Sequence, residues 1–449
     1  MSEALEKIQE ARLRRFRPYP EYKDSGVEWL GEIPAHWSVA PLYARFEVAL
    51  GKMLDARRNT GEFSGPYLRN VDVQWDAVNV EELPEMDFAP REHDRYLLRP
   101  GDLLVCEGGE VGRTAIWRGE LDECFYQKAI HRVRPRSADD EPRFLYYLMY
   151  VAAKRGVFTA GGNPNTIDHL TAIQLRHYRF SFPPAAEQRA IAAFLDRETA
   201  KIDGLVARKE RLIELLQEKR TALITRAVTR GLDPNVPMKD SGAEWLGEIP
   251  AHWEVVPSTW IFTESKQRAR DGDEQLSATQ KYGVIPQAEF ERLEGRQVVH
   301  AFMHLHQRKH VDVDDFVMSM RSFQGGLERV WVRGCVRSSY GVLRASSNVH
   351  VGFFSHLFKS SAYIQALRAT SNFIRDGQDL NFHNFRLVKL PSVPAREQKA
   401  IAAFLDQETA RIDALIAKIR EAIDHLKEFR TALISAAVTG KIDVREEVS

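Results

Sequence analysis

The sequence predicts an α+β protein in which two mixed α/β domains are separated by a pair of long helices. The helices form an antiparallel coiled coil, and the two halves form a pseudo-twofold internal repeat. Three observations predict it. A leader is written twice: KDSGVEWLGEIPAHW (Lys23 to Trp37) returns as KDSGAEWLGEIPAHW (Lys239 to Trp253), and Lys23–Leu42 agrees with Lys239–Ser258 at 16 of 20 positions. A proline-poor segment is also written twice, since Pro184–Thr229 agrees with Pro394–Thr439 at 29 of 46 positions. The text between hardly matches. The offset falls from 216 to 210 between the two repeats, so the second body is a net six residues shorter. The ends of a duplicated unit were kept while the middles diverged.

This divides the chain into a leader and clasp (1–42), a first body (43–183), a helical spacer with the second leader (184–258), a second body (259–393) and a C-terminal helical spacer (394–449). In the leader, Trp29, Leu30, Ile33, Pro34 and Trp37 read as an apolar clasp that packs against the foot of a helix. In the first body, YLLRPGDLLVCEGGEVGRTAIW (Tyr96 to Trp117) reads as strand, glycine turn, strand. VDVDDFVMSMRSFQGGLERVWV (Val311 to Val332) holds a comparable place in the second. Each body then has a helical stretch, FLYYLMYVAAKRG from Phe144 and HLFKSSAYIQALR from His356, and a polar loop, GGNPNTIDHL (Gly161 to Leu170) or NFIRDGQDL (Asn372 to Leu380).

The repeated segments read as helices. From Ala185 to Arg230 there is no proline and one glycine, Gly204, and Ala395 to Thr439 has neither. Pro184 and Glu187, like Pro394 and Glu397, suit a first helical turn, where proline loses no hydrogen bond and a carboxylate meets exposed N–H groups. Leu405, Ile412, Ile419, Leu426 and Leu433 fall at steps of seven, with Leu415 and Phe429 on an adjoining seam. The first copy gives Leu195, Ile202, Leu216 and Leu223 in the same frame, interrupted by Lys209. Such spacing over about six heptads points to two helices packed on each other. An isologous pairing about a pseudo-twofold axis runs them antiparallel.

Composition excludes several classes. Three cysteines (Cys106, Cys124, Cys335) without paired spacing make neither a disulfide framework nor a four-cysteine zinc site, so a reduced, cytoplasmic protein is expected. No stretch has the length of a membrane span, and MSEALEKIQEARLRRFRPYP lacks the apolar core of a signal peptide. With 63 Lys+Arg against 63 Asp+Glu, the chain cannot hold nucleic acid by bulk charge alone.

The paired SGxEWLGEIPxHW leaders and the paired PxxEQxAIAAFLDxET helices resemble those of type I restriction-modification specificity subunits, over nearly the whole length. GDLLVCEGGEVGR, LSATQKYGVIPQ (Leu276 to Gln287) and SSYGVL (Ser338 to Leu343) are similar to phrases of that family's target-recognition domains. The resemblance implies a DNA-binding subunit in a restriction system. Each of its two recognition domains reads one half of a bipartite double-stranded target, and the helices set the spacer and dock two methyltransferase (M) subunits. Restriction (R) subunits join that core. It implies no cofactor in this chain, with S-adenosylmethionine, ATP and Mg acting in the partners.

Base-reading residues are sought where glycine turns let backbone N–H groups approach phosphate, with Arg, Asn and Gln nearby to read base edges. The candidates are Arg69, Asn70, Gly108, Gly109, Arg113, Asn163, Asn165 and Thr166 in the first body. In the second they are Ser277, Gln280, Lys281, Arg321, Gln324, Arg329, Arg375 and Gln378. Tyr43–Pro184 carries 19 Lys+Arg against 21 Asp+Glu, so contacts there need a local patch, whereas Ser258–Pro394 carries 18 against 13. Catalytic residues are not found. GEVGRT (Gly109 to Thr114) has the wrong length and no lysine for a phosphate-binding loop. NPN at Asn163 departs from an amino-methyltransferase motif, and His300, His304, His306 and His310 lack the companions of a zinc site. The alternatives are a coiled-coil assembly scaffold without DNA specificity, or an enzyme with an unrecognised active site.

Overall fold

In the computed structural model, which describes residues 16–54, 59–159, 169–295, 297, 307–319, 322–370 and 381–448, each leader is a β-hairpin. Tyr22–Asp24 pairs with Glu32–Pro34, and Met238–Asp240 with Glu248–Pro250, in the same antiparallel register. The DSG triplet builds the turn. Asp24 and Asp240 accept from the Gly26 and Gly242 amides at 2.9 and 3.0 Å, and those glycines sit at φ +66° and +64°.

The chain divides into two units, Met1–Lys209 with Glu421–Ser449, and Glu210–Arg420. Each holds one body and one end of each long helix. In both, the strand leaving the leader closes the base of the body. Ser38–Pro41 pairs antiparallel with Arg179–Phe182, and Glu254–Val256 with Leu390–Ser392, just before a long helix begins.

Both bodies are built on a four-stranded antiparallel sheet. Its order is Phe46–Leu50, Ile130–Pro135, Leu103–Cys106, Thr114–Ile116 in the first body. In the second it is Phe262–Glu264, Gly341–Ala345, Phe316–Met318, Glu328–Arg329. Counted along the chain, both run first, fourth, second, third, so topology outlasted sequence. The bodies differ in what is attached. The first adds a three-stranded sheet (Glu85–Asp87, Ser64–Leu68, Phe125–Tyr126), and the second adds the pairs Leu276–Thr279 with Gly283–Pro286 and Lys309–Val311 with Gly334–Val336.

A helix covers each body. Pro142–Lys154 buries Phe144, Leu145, Tyr147, Leu148 and Met149. The single helical stretch expected from His356 is instead two helices, Val351–Lys359 and Ser361–Ala369. The reason is local: Ser360 is extended, and its Oγ accepts from Tyr363 N at 3.3 Å, so a serine that ends one helix caps the next. Phe353, Phe354, Leu357 and Phe358 enter a core with Phe262, Phe316 and Phe385. Each such aromatic contributes about 2 to 3 kcal/mol by leaving water.

The long helices span Ala185–Arg230 and Ala395–Val438. Leu195, Thr199, Ile202 and Val206 are buried in the first, and Leu405, Thr409, Ile412, Ile416, Ile419, Ile423 and Leu433 in the second. Leu216, Leu223 and Leu426 are half-buried. One expectation is corrected: Leu415 is 45% exposed, and Ile416 and Ile423, at 6% and 5%, line the adjoining seam. A β-branched residue recurs four positions after Ile412 and Ile419, whereas the position three after is Leu415 and then Ala422. The sustained apolar stripe is therefore the four-step one.

The helices run antiparallel as a coiled coil in each unit. In the first, Asp203 meets Arg430 at 2.9 Å while Arg197, nearer the start of its helix, reaches Glu447 O at 2.5 Å. In the second, Arg220 meets Asp413 at 3.0 Å, and Gly231 lies beside Trp253, which is bonded to Glu397. Asp203 and Asp413 are equivalent positions of the repeat, and so are Arg220 and Arg430.

Candidate nucleic-acid interface

The two bodies are positioned by the repeated helix motif, whose polar letters make the same contacts in both units. Glu187 accepts from Trp37 Nε1 at 2.9 Å, Tyr19 Oη at 2.7 Å and His36 Nε2 at 2.8 Å. Glu397 accepts from Trp253 Nε1 at 3.0 Å and His252 Nε2 at 2.7 Å. These carboxylates thus receive the leader's W and H, a use beyond the first-turn N–H groups expected for them. Burial and the Glu187 carboxylate hold the Tyr19 phenol well above its ordinary pKa.

The next letter holds the body. Gln188 Oε1 accepts from Glu141 N at 3.0 Å and Gln398 Oε1 from His350 N at 2.8 Å, each just before a body helix. Their Nε2 atoms donate to Pro183 O and Val393 O at 2.9 and 2.8 Å. Further along, Asp196 accepts from Arg143 Nε at 2.6 Å and Tyr147 Oη at 2.7 Å, and Asp406 bonds His356 Nε2 at 2.7 Å. Thr199 and Thr409 turn back on their own helices, donating to Leu195 O and Leu405 O at 2.7 Å. The motif recurs because one helix foot must fasten both a leader and a body.

On this frame the glycine turns occupy equivalent places, between the second and third sheet strands. In the first body the turn brings Arg69, Asn70, Gly108, Gly109 and Arg113 together. Asn70 Nδ2 donates to Gly108 O at 2.9 Å, and Arg113 Nη2 donates to both Asn70 O and Asn70 Oδ1 at 2.9 Å. Arg69 is held by Asp72, Nε at 2.9 Å and Nη2 at 2.8 Å. Gly109 and Gly112 take φ of +75° and +81°, and a side chain at Gly112 would collide with Phe158. Beside the turn, Glu110 accepts from Trp75 Nε1 and Lys154 Nζ at 2.8 Å. Burial raises its pKa, but those two donors outweigh it and hold the carboxyl below its ordinary range. Burial pushes the Cys106 thiol up to about 11 and keeps it neutral. His131, its pKa lowered by burial, bonds Leu170 O at 2.6 Å, and Leu170 N donates to Glu107 O at 2.8 Å, so the end of the polar loop is tied to the turn. Asn163, Asn165 and Thr166 lie outside the described residues.

In the second body the turn contains the short helix Ser322–Gly325, with Gln324 exposed on it. Gln280 packs on Gly325, and a side chain at Gly326 would run into Phe358 O. Arg329 is fixed by Asp314, Nε at 2.9 Å and Nη2 at 2.6 Å, and its guanidinium lies 4.4 Å from the Trp331 ring centre. Lys281 is exposed, 4.6 Å from the Tyr282 ring centre and 3.6 Å from Glu294. Ser277 is half-buried opposite Ile285 in its hairpin. Lys359 reaches Glu328 at 2.5 Å and Gln280 O at 3.5 Å. Arg321, Arg375 and Gln378 lie outside the described residues, as do His300, His304 and His306. His310 is buried between Asp273 and Asp312 at 2.7 and 3.1 Å. Among the described residues no group of three or more His, Cys, Asp or Glu is placed to hold a metal.

Sequence reasoning missed Asp72 and Asp314, which fix two candidate arginines, and Trp331. Asp72 carried a signal, since an acid three residues after Arg69 can fold back on it. Asp314 did not, being fifteen residues from Arg329.

A protein with duplicated helix feet, two sheets of one topology and unlike attachments is built to present two different surfaces on one frame. Residues 46–215 match the family described as Type I restriction modification DNA specificity domain. The MjaX specificity subunit of Methanocaldococcus jannaschii, named as that of a type I restriction enzyme, is 24% identical over 93% of this chain and 96% of its own length. Among solved structures, a chain from work on complex assembly and conformational transition of the type I R-M system superposes with TM-score 0.63 at 15% identity, covering 90% of this chain and 98% of that one. The HsdS subunit from Thermoanaerobacter tengcongensis gives 0.53 at 16% identity, covering 91% and 98%. The chain is thus similar in sequence to specificity subunits of type I restriction enzymes, and shares its fold with solved structures from such systems. No described helix is long and apolar enough to cross a membrane.

Proposed function

We propose that the chain is the non-catalytic, sequence-reading subunit of a cytoplasmic complex, and that each body reads one half of a bipartite double-stranded DNA target. The carrying observation is the contrast between the frame and its load. Glu187 and Glu397, Gln188 and Gln398, and Asp196 and Asp406 make matching contacts, while the elements attached to the two sheets differ. Recognition of two unlike half-sites asks for this arrangement, because phosphate contacts position a reader and base contacts specify. Methylation and cleavage belong to two methyltransferase subunits and to restriction subunits. S-adenosylmethionine, ATP and Mg act there, and the coiled coil sets the spacer and docks the methyltransferases.

The test is exchange of residues 43–183 for the equivalent body of a relative, followed by methylation mapping with the methyltransferase bound. One half of the motif changes and the other stays. A change in both halves, or in neither, means that the bodies are not independent readers.

A further inference from the structure

Trp331 is 50% exposed and shares its edge of the second body with two other uncovered apolar residues, Val313 at 53% and Val332 at 40%. Main-chain bonds place them together. Asp314 N donates to Val330 O at 3.0 Å and Val330 N to Asp315 O at 2.9 Å, which sets Val313 across from Trp331 and Val332. Single exposed apolar side chains need no explanation, but a held group of them calls for a partner.

The indole is held firmly. Trp331 N donates to Val284 O at 3.3 Å, and the ring lies beside an Arg329 guanidinium that Asp314 fixes in turn. A Cβ at Gly283, where φ is +75°, would fall 2.6 Å from the indole Nε1. Asp314 itself takes φ +73°, a left-handed conformation that a non-glycine residue adopts at a cost. Among the described residues the indole N–H has no hydrogen-bond acceptor. A strained residue, a glycine and an ion pair are therefore all used to keep a tryptophan partly in water.

The rim says what kind of partner fits. Lys281 and Arg333 are exposed beside this edge, and the nearby acids Asp314 and Glu294 are engaged with Arg329 and with Lys281 and Tyr282. This body is also the one with the positive surplus, 18 Lys+Arg against 13 Asp+Glu over Ser258–Pro394. An apolar edge inside a cationic rim suits duplex DNA, whose major groove offers one apolar feature, the thymine methyl, between rows of phosphate. We propose that Trp331, flanked by Val313 and Val332, makes apolar contact with a thymine methyl in one half-site, while Lys281 and Arg333 face the adjoining phosphates. This rests on the DNA-reading function proposed above.

The experiment uses the full chain bound to its methyltransferase. The motif is first mapped by methylation sequencing; absence of any split motif would sink the DNA-reading function itself and not this contact alone. Binding is then measured to a duplex carrying the motif and to duplexes with each thymine of the second body's half-site replaced in turn by uracil, which lacks the methyl. One replacement weakens the wild-type complex. Trp331→Ala weakens binding to the intact duplex roughly tenfold and abolishes the response to that replacement, Trp331→Phe keeps most of both, and the other half-site is read as before. Three results overturn the contact: a half-site of G·C pairs alone, no response to any uracil, or binding within about twofold for Trp331→Ala. The uracil scan needs no variant, so poor folding of Trp331→Ala leaves the contact testable. Loss of methyltransferase assembly by Trp331→Ala with DNA binding intact would make this edge a protein-docking surface and also overturn it.

Discussion

Glu187 and Glu397 hold the same letter of the repeat but carry unequal loads. Glu187 is buried and serves three donors, whereas the Glu397 side chain is 39% exposed and serves two. Removing a buried acceptor leaves its donors unsatisfied at about 1 to 3 kcal/mol. Glu187→Ala is therefore expected to destabilise its unit by about 3 kcal/mol and Glu397→Ala by about 1 kcal/mol in urea titrations. Equal losses would mean that the leader is not fastened through this carboxylate. Glu328 offers a pH test. Burial raises its pKa from 4.5 to about 7 against the pull of Lys359. Between those values the folded chain binds more protons than the unfolded one, so this group's contribution is full below the unfolded pKa and is lost as pH rises to about 7. Glu328→Gln, which keeps an acceptor for Lys359, should gain up to about 3 kcal/mol relative to wild type on going from pH 5 to pH 8. An unchanged difference between the two proteins at both pH values would count against a protonated Glu328. At this scale the candidate site was half legible. Glycine turns announce themselves by composition, but the Asn70–Arg113 and Asp314–Arg329 pairs are made across a fold that no local pattern encodes.

The long helices were legible because heptad spacing is a local property repeated many times. Each added turn confirms the frame, and a polar interruption such as Lys209 does not erase it. The phase of the second seam was harder to read, since leucine at the third position and isoleucine at the fourth are both apolar and only packing separates them. The difference is testable. Leu433→Ala, at a fully buried position, should cost about 2 to 4 kcal/mol, and Leu415→Ala less than about 0.5 kcal/mol. Comparable losses would return Leu415 to the seam. The sheets show the opposite case. Their shared strand order is set by pairings far apart in sequence, such as Phe46–Leu50 with Ile130–Pro135, so two bodies that hardly align still have one topology.

For the whole molecule, the length of the helices is the quantity that the proposed function turns into a measurement. The 46 residues of Ala185–Arg230 amount to roughly 69 Å at about 1.5 Å per residue. Removing one heptad from each long helix shortens each by roughly 10 Å. Because the deletion is a whole repeat, it brings Ile423 to four positions after Ile412, and the alternating seam stays in register. In DNA, roughly 10 Å corresponds to about three base pairs at a rise of about 3.4 Å. Deletions within 205–211 and 415–421 keep Asp203 with Arg430 and Asp413 with Arg220, the pairs equivalent under the repeat. If helix length is the ruler, methylation mapping of the shortened protein with its methyltransferase will find a spacer reduced by about one to three base pairs, DNA bending absorbing any remainder, with both half-site sequences unchanged. An active complex that keeps the original spacer would mean that something other than the helices measures the distance.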